Sequence, residues 1–189
     1  MLILASGSPR RREILTMLGY AFKVVPADAD ETLEEGIDPD CAVAELSKRK
    51  AEAVGKLYPF DVVLGADTLV FCGGVILGKP ESMEDAAQML RFLSGRTHQV
   101  YTGVTILNQT RSKTWVNVSN VTFLDLTEEE IRAYLETGEP MDKAGTYAVQ
   151  GKGSALIESI SGDFFAVMGL PASSTARFLK EFGIVPNNL

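Results

Sequence analysis

Val62-Val63-Leu64-Gly65-Ala66 is apolar at consecutive positions, whereas a surface strand shows every second side chain to water. The run predicts a strand buried on both faces, central in a sheet that helices cover. Asp67 ends this run and Leu69-Val70-Phe71 follows, so a carboxylate is expected at the end of the central strand. Such a carboxylate is costly to bury unless it is paired, hydrogen-bonded or holding a metal. Strand ends in α/β sheets are also where ligands gather. The plainer alternative is an aspartate that caps neighbouring N–H groups, that of Thr68 included.

The elements around this strand follow from their own signals. Leu2 to Ala5 reads as a short buried strand, after which Ser6-Gly7-Ser8-Pro9 opens a helix with Ser8 as N-cap and Pro9 at the first helical position. Ile14, Leu15 and Leu18 form its apolar stripe and Gly19 stops it. Phe22 to Val25 is a second strand, Ala27 to Ile37 a loop, and Asp38-Pro39 starts a helix through Val43, Leu46, Ala53 and Val54 that ends near Gly55. Ser82 to Asp85 resembles a capping box before a helix through Ala86, Ala87, Leu90 and Leu93. Gln99 to Leu107 and Thr114 to Leu126 form a hairpin, with a change of apolar parity that predicts a bulge near Ser119-Asn120. Thr127-Glu128-Glu129-Glu130 is a full capping box for a helix through Ile131, Tyr134 and Leu135, stopped at Gly138. A last helix runs from about Pro171 to Phe182. Helices alternate with strands while hairpins interrupt them, which predicts an α/β fold with a mixed sheet, organised as a single domain over residues 1–189.

Several function classes are excluded. With 18 Lys+Arg against 25 Asp+Glu, the formal charge is 18 − 25 = −7, which disfavours nucleic acid and anionic membranes as partners. Any basic site must be local. A chain of 189 residues buries roughly 70% of its unfolded surface and needs no disulfide or structural metal. Cys41 and Cys72 are isolated and His98 is the sole histidine, so CxxC, HExxH and zinc-deaminase signatures are impossible. His98 stands in a strand-like Thr97 to Val100 run and reads as a hydrogen-bonded strand residue, not the base of a triad. No run approaches the ~18 apolar residues of a membrane span. Leu2 to Ala5 is too short for a signal peptide and precedes Arg10-Arg11-Arg12, so a cytoplasmic chain is expected, in which the sequons at Asn108, Asn117 and Asn120 are chance matches. Gly73 to Lys79 spells a P-loop, but Pro80 replaces the required Ser or Thr and Val75-Ile76-Leu77 reads as strand. Gly151-Lys152-Gly153 begins a dinucleotide fingerprint that Leu156 breaks.

Other residues point to chemistry. Arg10 and Arg11 occupy the first turn of the first helix, where the macrodipole makes cations unfavourable by a few tenths to ~1 kcal/mol each. A bound polyphosphate would offset this, held by N–H groups, the Ser6 and Ser8 hydroxyls and both guanidinium groups. A solvated basic turn is the alternative. Lys79, between Gly78 and Pro80, is an ammonium on a rigid exposed corner. Asp142-Lys143-Ala144-Gly145 and Gln150-Gly151 form a polar cluster in which glycines permit close backbone approach. Glu31, with Asp28 and Asp30 nearby, is either a solvated acidic face or a source of a metal ligand.

In order along the chain, Ala5-Ser6-Gly7-Ser8-Pro9-Arg10-Arg11, Gly65-Ala66-Asp67-Thr68, Leu77-Gly78-Lys79-Pro80, Leu93-Ser94-Gly95-Arg96-Thr97-His98 with Thr102-Gly103-Val104, Asp142-Lys143-Ala144-Gly145 with Gln150-Gly151, and Gly169-Leu170-Pro171 resemble the Maf family of nucleotide pyrophosphatases. The resemblance runs from Leu2 to about Gly183. It implies an elongated mixed sheet flanked by helices, with two lobes around a nucleotide-binding cleft. It also implies hydrolysis of nucleoside triphosphates between the α and β phosphates, with Mg²⁺ or Mn²⁺ as cofactor and a homodimer as the assembly. By position Asp67 matches the catalytic acid, as proton acceptor for water or as metal holder, and Glu31 an acidic position that would share the metal. Ser6, Ser8, Arg10, Arg11, Lys50, Lys79 and Lys143 match phosphate-binding positions. The form around Lys143 and Gln150 resembles the branch acting on dTTP and UTP, with Arg11 or its neighbour Arg10, Thr68 and Gln150 as specificity positions; modified pyrimidine nucleotides are further substrates to expect. The alternatives within the family are the branch that prefers 7-methyl-GTP and a nucleotide-binding regulator of septum formation with little turnover. One departure is Phe164-Phe165-Ala166-Val167-Met168, where a more polar form is common.

Overall fold

The computed structural model describes residues 1–187, the side chain of Asp142 apart. The chain runs β1 (Leu2–Leu4), α1 (Pro9–Met17), β2 (Phe22–Val24), α2 (Pro39–Gly55), β3 (Val62–Cys72), β4 (Val75–Leu77), α3 (Met83–Leu93), β5 (Thr97–Leu107), β6 (Ser112–Phe123), α4 (Glu128–Glu136), three short 3-10 turns, β7 (Ile157–Ser161), α5 (Phe164–Met168) and α6 (Ala172–Glu181). The strands form one open sheet in the order β2-β1-β3-β5-β6-β7, with β4 pairing β3 off that path. β1 lies parallel to β2 and β3, while β3–β4 and β6–β7 are antiparallel. The fold is therefore α/β with a mixed sheet, and β3 is interior to it, as its two-sided apolar pattern requires.

Two compact units are discernible. The first comprises Met1–Asp67, Thr102–Asn117 and the chain from Gly169 onward, the second Thr68–Tyr101 and Val118–Met168. In the first, α2 lies on the sheet at two glycines. A Cβ on Gly65 would stand 2.5 Å from the Ser47 carbonyl oxygen and 2.7 Å from the Ala51 nitrogen, and one on Gly103 would meet the Val43 carbonyl. The buried Ser47 hydroxyl donates to the Ala44 carbonyl (2.9 Å) and shares a 3.0 Å hydrogen bond with Thr105. Ile3, Ala5, Ala51, Val54 and Val63 form a core beneath this contact.

In the second unit, α3 and α4 enclose Leu90, Leu93, Phe123, Ile131, Tyr134 and Tyr147. α4 begins with the expected capping box, Thr127 accepting from the Glu130 N–H while Glu130 accepts from the Thr127 N–H. His98 is buried here, its Nε2 2.7 Å from the Tyr147 hydroxyl, and burial pushes its pKa down to about 4. Imidazolium is thus disfavoured in the folded state, while the unfolded chain takes up a proton near pH 6.5. Between those values the unfolded state binds more protons, so stability falls as pH drops from about 6.5 toward 4. We expect a loss on the order of 3 kcal/mol across that window in denaturant titrations. His98→Gln, which keeps a partner for Tyr147 but does not titrate, should flatten it; an unchanged slope would place the acid sensitivity elsewhere.

Some expectations are corrected. Asp67 does not end a strand: β3 continues through it to Cys72, because Leu69 to Phe71 prolong the apolar pattern and one polar pair does not interrupt a ladder of backbone bonds. Ser8 takes the N-cap position with Pro9 behind it, but its hydroxyl makes no capping bond. Asn120 to Thr122 pair with β7 in regular register, and the irregularity comes between Thr122 and Phe123, where Glu158 of β7 is the extra residue, instead of at the Ser119-Asn120 position expected for a bulge. Neither β7 nor α5 was legible among the glycines of the last third.

Candidate active site

In the first unit the geometry follows from the Gly65 contact. Asp67 lies two residues further along β3 and so on the same face, the one that α2 covers. Lys50 is three residues after Ser47 and adjacent to Ala51, so it also faces the sheet. Its Nζ stands 2.6 Å from Asp67 Oδ1 and 2.7 Å from Glu31 Oε1, and two carboxylates share one ammonium. The side chains of Lys50 and Asp67 are only 14% and 15% exposed, whereas Glu31 is 65% exposed.

The start of α1 adds positive charge. The Ser6 hydroxyl accepts from the Ser8 N–H (3.2 Å) and from Arg11 Nη1 (3.0 Å), while Arg11 Nε donates to the Gly169 carbonyl (2.9 Å). Burial lowers the Arg11 pKa, Asp67 and Glu31 oppose that, and Arg10 adds to it; an arginine remains charged throughout. No acidic side chain stands in the first turn, so the macrodipole and Arg10 are not countered there. Ser6, Ser8, Arg11, Glu31, Lys50 and Asp67 are thus linked by contact or by their fields. Arg10, half-buried, adjoins them.

The second unit carries Thr68, Lys79, Lys143 and Gln150. Thr68 follows Asp67 on β3 and is half-buried; Lys79 and Gln150 are exposed. The Gly145 N–H donates to the Gly78 carbonyl (3.0 Å), which fastens the Lys143-Ala144-Gly145 segment to the corner that bears Lys79. Gly145 is at φ 67° and packs so near Val70 that a Cβ would stand 2.7 Å from its methyl group. Thr146 adopts φ 68°, rare for a β-branched residue and a sign of local strain. Lys143 Nζ donates to the Glu139 carbonyl (2.7 Å). Glu139 itself escaped the sequence reading; the only signal was an acid between the helix-stopping Gly138 and Pro140. His98 is spent on Tyr147, and Cys41 and Cys72 are free thiols, so no nucleophilic triad is assembled among the described residues.

Among the described residues no group of three or more His, Cys, Asp or Glu could cage a metal ion. Mg²⁺ seldom needs one, since one or two carboxylates plus substrate phosphates and water suffice. Glu31 and Asp67, two hard oxygen donors converging on one cationic position, fit that requirement. No helix among the described residues is long and apolar enough to cross a membrane.

Residues 1–182 match the family described as Maf-like protein. A dTTP/UTP pyrophosphatase of Bacillus pumilus (strain SAFR-032) is 46% identical over 185 residues, covering 98% of each chain. One of Bacillus velezensis (strain DSM 23117 / BGSC 10A6 / LMG 26770 / FZB42) is 49% identical over 183 residues, covering 97% of each. With nearly half the positions identical from end to end and a polar cluster centred on Asp67 in place, the chain belongs to the Maf-like protein family.

Proposed function

We propose that this protein is a nucleoside triphosphate pyrophosphatase that hydrolyses dTTP and UTP to the monophosphate and pyrophosphate. The observation that carries the reading is the Asp67–Lys50–Glu31 group beside the basic start of α1, in a chain whose full-length relatives bear that name. Water attacks the α-phosphorus in line, the bond from that phosphorus to the α–β bridging oxygen breaks, and pyrophosphate leaves. Asp67 takes the water's proton at Oδ2, because Oδ1 is held by Lys50. Lys50 keeps the carboxylate aimed. Arg10, Arg11 and the Ser6 and Ser8 hydroxyls balance charge that builds on phosphate oxygens. Focusing cations in this way lets a chain of net charge −7 bind a tetra-anion.

Glu31 would hold Mg²⁺ or Mn²⁺, with Asp67 as its second ligand in the alternative in which that carboxylate is not the proton acceptor; the metal when bound supplies Lewis acidity toward phosphate oxygens. For the base, the Gln150 amide and the Thr68 hydroxyl can donate and accept against the carbonyl and N–H edge common to thymine and uracil. Arg11, tied to Ser6 and Gly169, adds a fixed donor.

The test is to incubate the protein with Mg²⁺ or Mn²⁺ and dTTP, UTP, CTP, GTP or 7-methyl-GTP, and to measure pyrophosphate against orthophosphate. Pyrophosphate from dTTP and UTP is the expected result. Preference for 7-methyl-GTP would assign the other branch, and nucleotide binding without turnover would replace the enzyme with a regulator.

A further inference from the structure

Glu139 closes the segment from residue 139 to 153 at both ends. Its Oε1 accepts from the Tyr134 hydroxyl (2.9 Å) and the Gly153 N–H (2.9 Å), and its Oε2 from the Lys152 N–H (2.9 Å). Its main-chain carbonyl takes the Lys143 ammonium at 2.7 Å. Tyr134 extends the hold, since its hydroxyl oxygen also accepts from the Ala148 N–H (3.3 Å). The anchored backbone atoms, at 148, 152 and 153, flank Gln150 on both sides. A side chain on Gly151 would collide with the Glu139 carboxylate, so the glycine and the acid occupy complementary space. Burial alone would raise the Glu139 pKa, but the Gly153 and Lys152 N–H groups, the Tyr134 hydroxyl and Lys143 hold it below the usual carboxylate range. The acid is therefore ionised at neutral pH and acts only as an acceptor.

We propose that Glu139 is a positioning residue that sets base discrimination: its carboxylate fixes the backbone that presents Gln150, and its carbonyl fixes Lys143. The inference rests on the pyrimidine triphosphate reading above. A carboxylate with three donors is an ordinary way to stiffen a loop; what distinguishes this one is that its two main-chain donors lie two and three residues after Gln150 while the carbonyl of the same residue takes Lys143. A loosened Gln150 still meets the base, but its amide no longer favours the uracil edge over cytosine, because selectivity of this kind depends on a fixed orientation.

The full-length protein with Mg²⁺ is assayed on UTP and CTP as wild type, Glu139→Gln, Tyr134→Phe and Gln150→Ala, with a melting temperature for each. In Glu139→Gln the amide nitrogen faces the Lys152 N–H, donor against donor. The KM for UTP should rise and the UTP-to-CTP ratio of kcat/KM should fall about tenfold, approaching that of Gln150→Ala. Tyr134→Phe, which deletes a single donor, should move the ratio the same way by less and serves should Glu139→Gln fail to fold. An unchanged ratio in these two variants, with Gln150→Ala still altering it, overturns the inference and leaves the functional reading standing. A Gln150→Ala ratio equal to that of wild type overturns the inference alone, and a wild type that releases no pyrophosphate from UTP overturns the reading and the inference together.

Discussion

Asp67→Asn is expected to lower kcat for pyrophosphate release by about 10²- to 10⁴-fold, the contribution usual for a positioned proton acceptor. The change alters one atom and no volume, so the packing of β3 is kept. Lys50 loses a charged partner at 2.6 Å but retains Glu31 at 2.7 Å, and the remaining ammonium is not stranded. Removing one partner from a fully buried pair costs 3–5 kcal/mol; with the second carboxylate in place the loss should be about 1–2 kcal/mol. Activity and stability thus separate. The role of the carboxylate is then read from a titration of the variant with Mn²⁺. A proton acceptor cannot be replaced by more metal, so the rate should stay low at saturation. Recovery at high Mn²⁺ would instead make Asp67 a ligand whose loss only weakens metal binding. Retention of the wild-type rate at ordinary metal concentrations would remove Asp67 from the chemistry.

Much of this site can be located from local pattern, and its assembly cannot. The two-sided apolar run marks β3 as interior, and the carboxylate behind it stands out because such strands tolerate few charges. The turn chemistry of α4 reads directly as Thr127 to Glu130, since a capping box is local in sequence. Lys48-Arg49-Lys50 is harder. Three cations stand in a row, and resemblance to a family names the third; packing gives the reason. Lys48 lies near Glu52 and Arg49 binds Glu45, both one turn away on α2, whereas Lys50 shares a face with Ser47 and Ala51, which are fully buried. Its partner is 17 positions away, on another element. The Glu139 cage is illegible for the same reason, because its donors at 152 and 153 meet it only after the chain has turned. Continuation of β3 past Asp67 was missed because a lone acid reads as punctuation until its counter-ion is known.

Gly65→Ala should destabilise the protein by about 3 kcal/mol, at the upper end for overpacking. In a chain of this size that lowers the melting temperature by on the order of 10 °C. Backbone conformation is not the obstacle, since Gly65 lies outside the left-handed region and alanine is, if anything, the better strand residue. Space is the obstacle. The nearest atoms to the added methyl are the Ser47 carbonyl oxygen at 2.5 Å and the Ala51 nitrogen at 2.7 Å, and neither can be cleared by a change of rotamer. Relief requires α2 to move off β3, and that shift draws Lys50 away from Asp67 because both sit within two or three residues of the contact. Stability and kcat should therefore fall together, in contrast to Asp67→Asn. Ala51→Gly provides the check: it removes the Ala51 Cβ, which lies at 3.0 Å, but leaves both closer backbone atoms in place. The double variant should stay as inactive as Gly65→Ala. Recovery of activity on trimming Ala51 would show that side chains, and not the main chain of α2, set the distance between helix and strand.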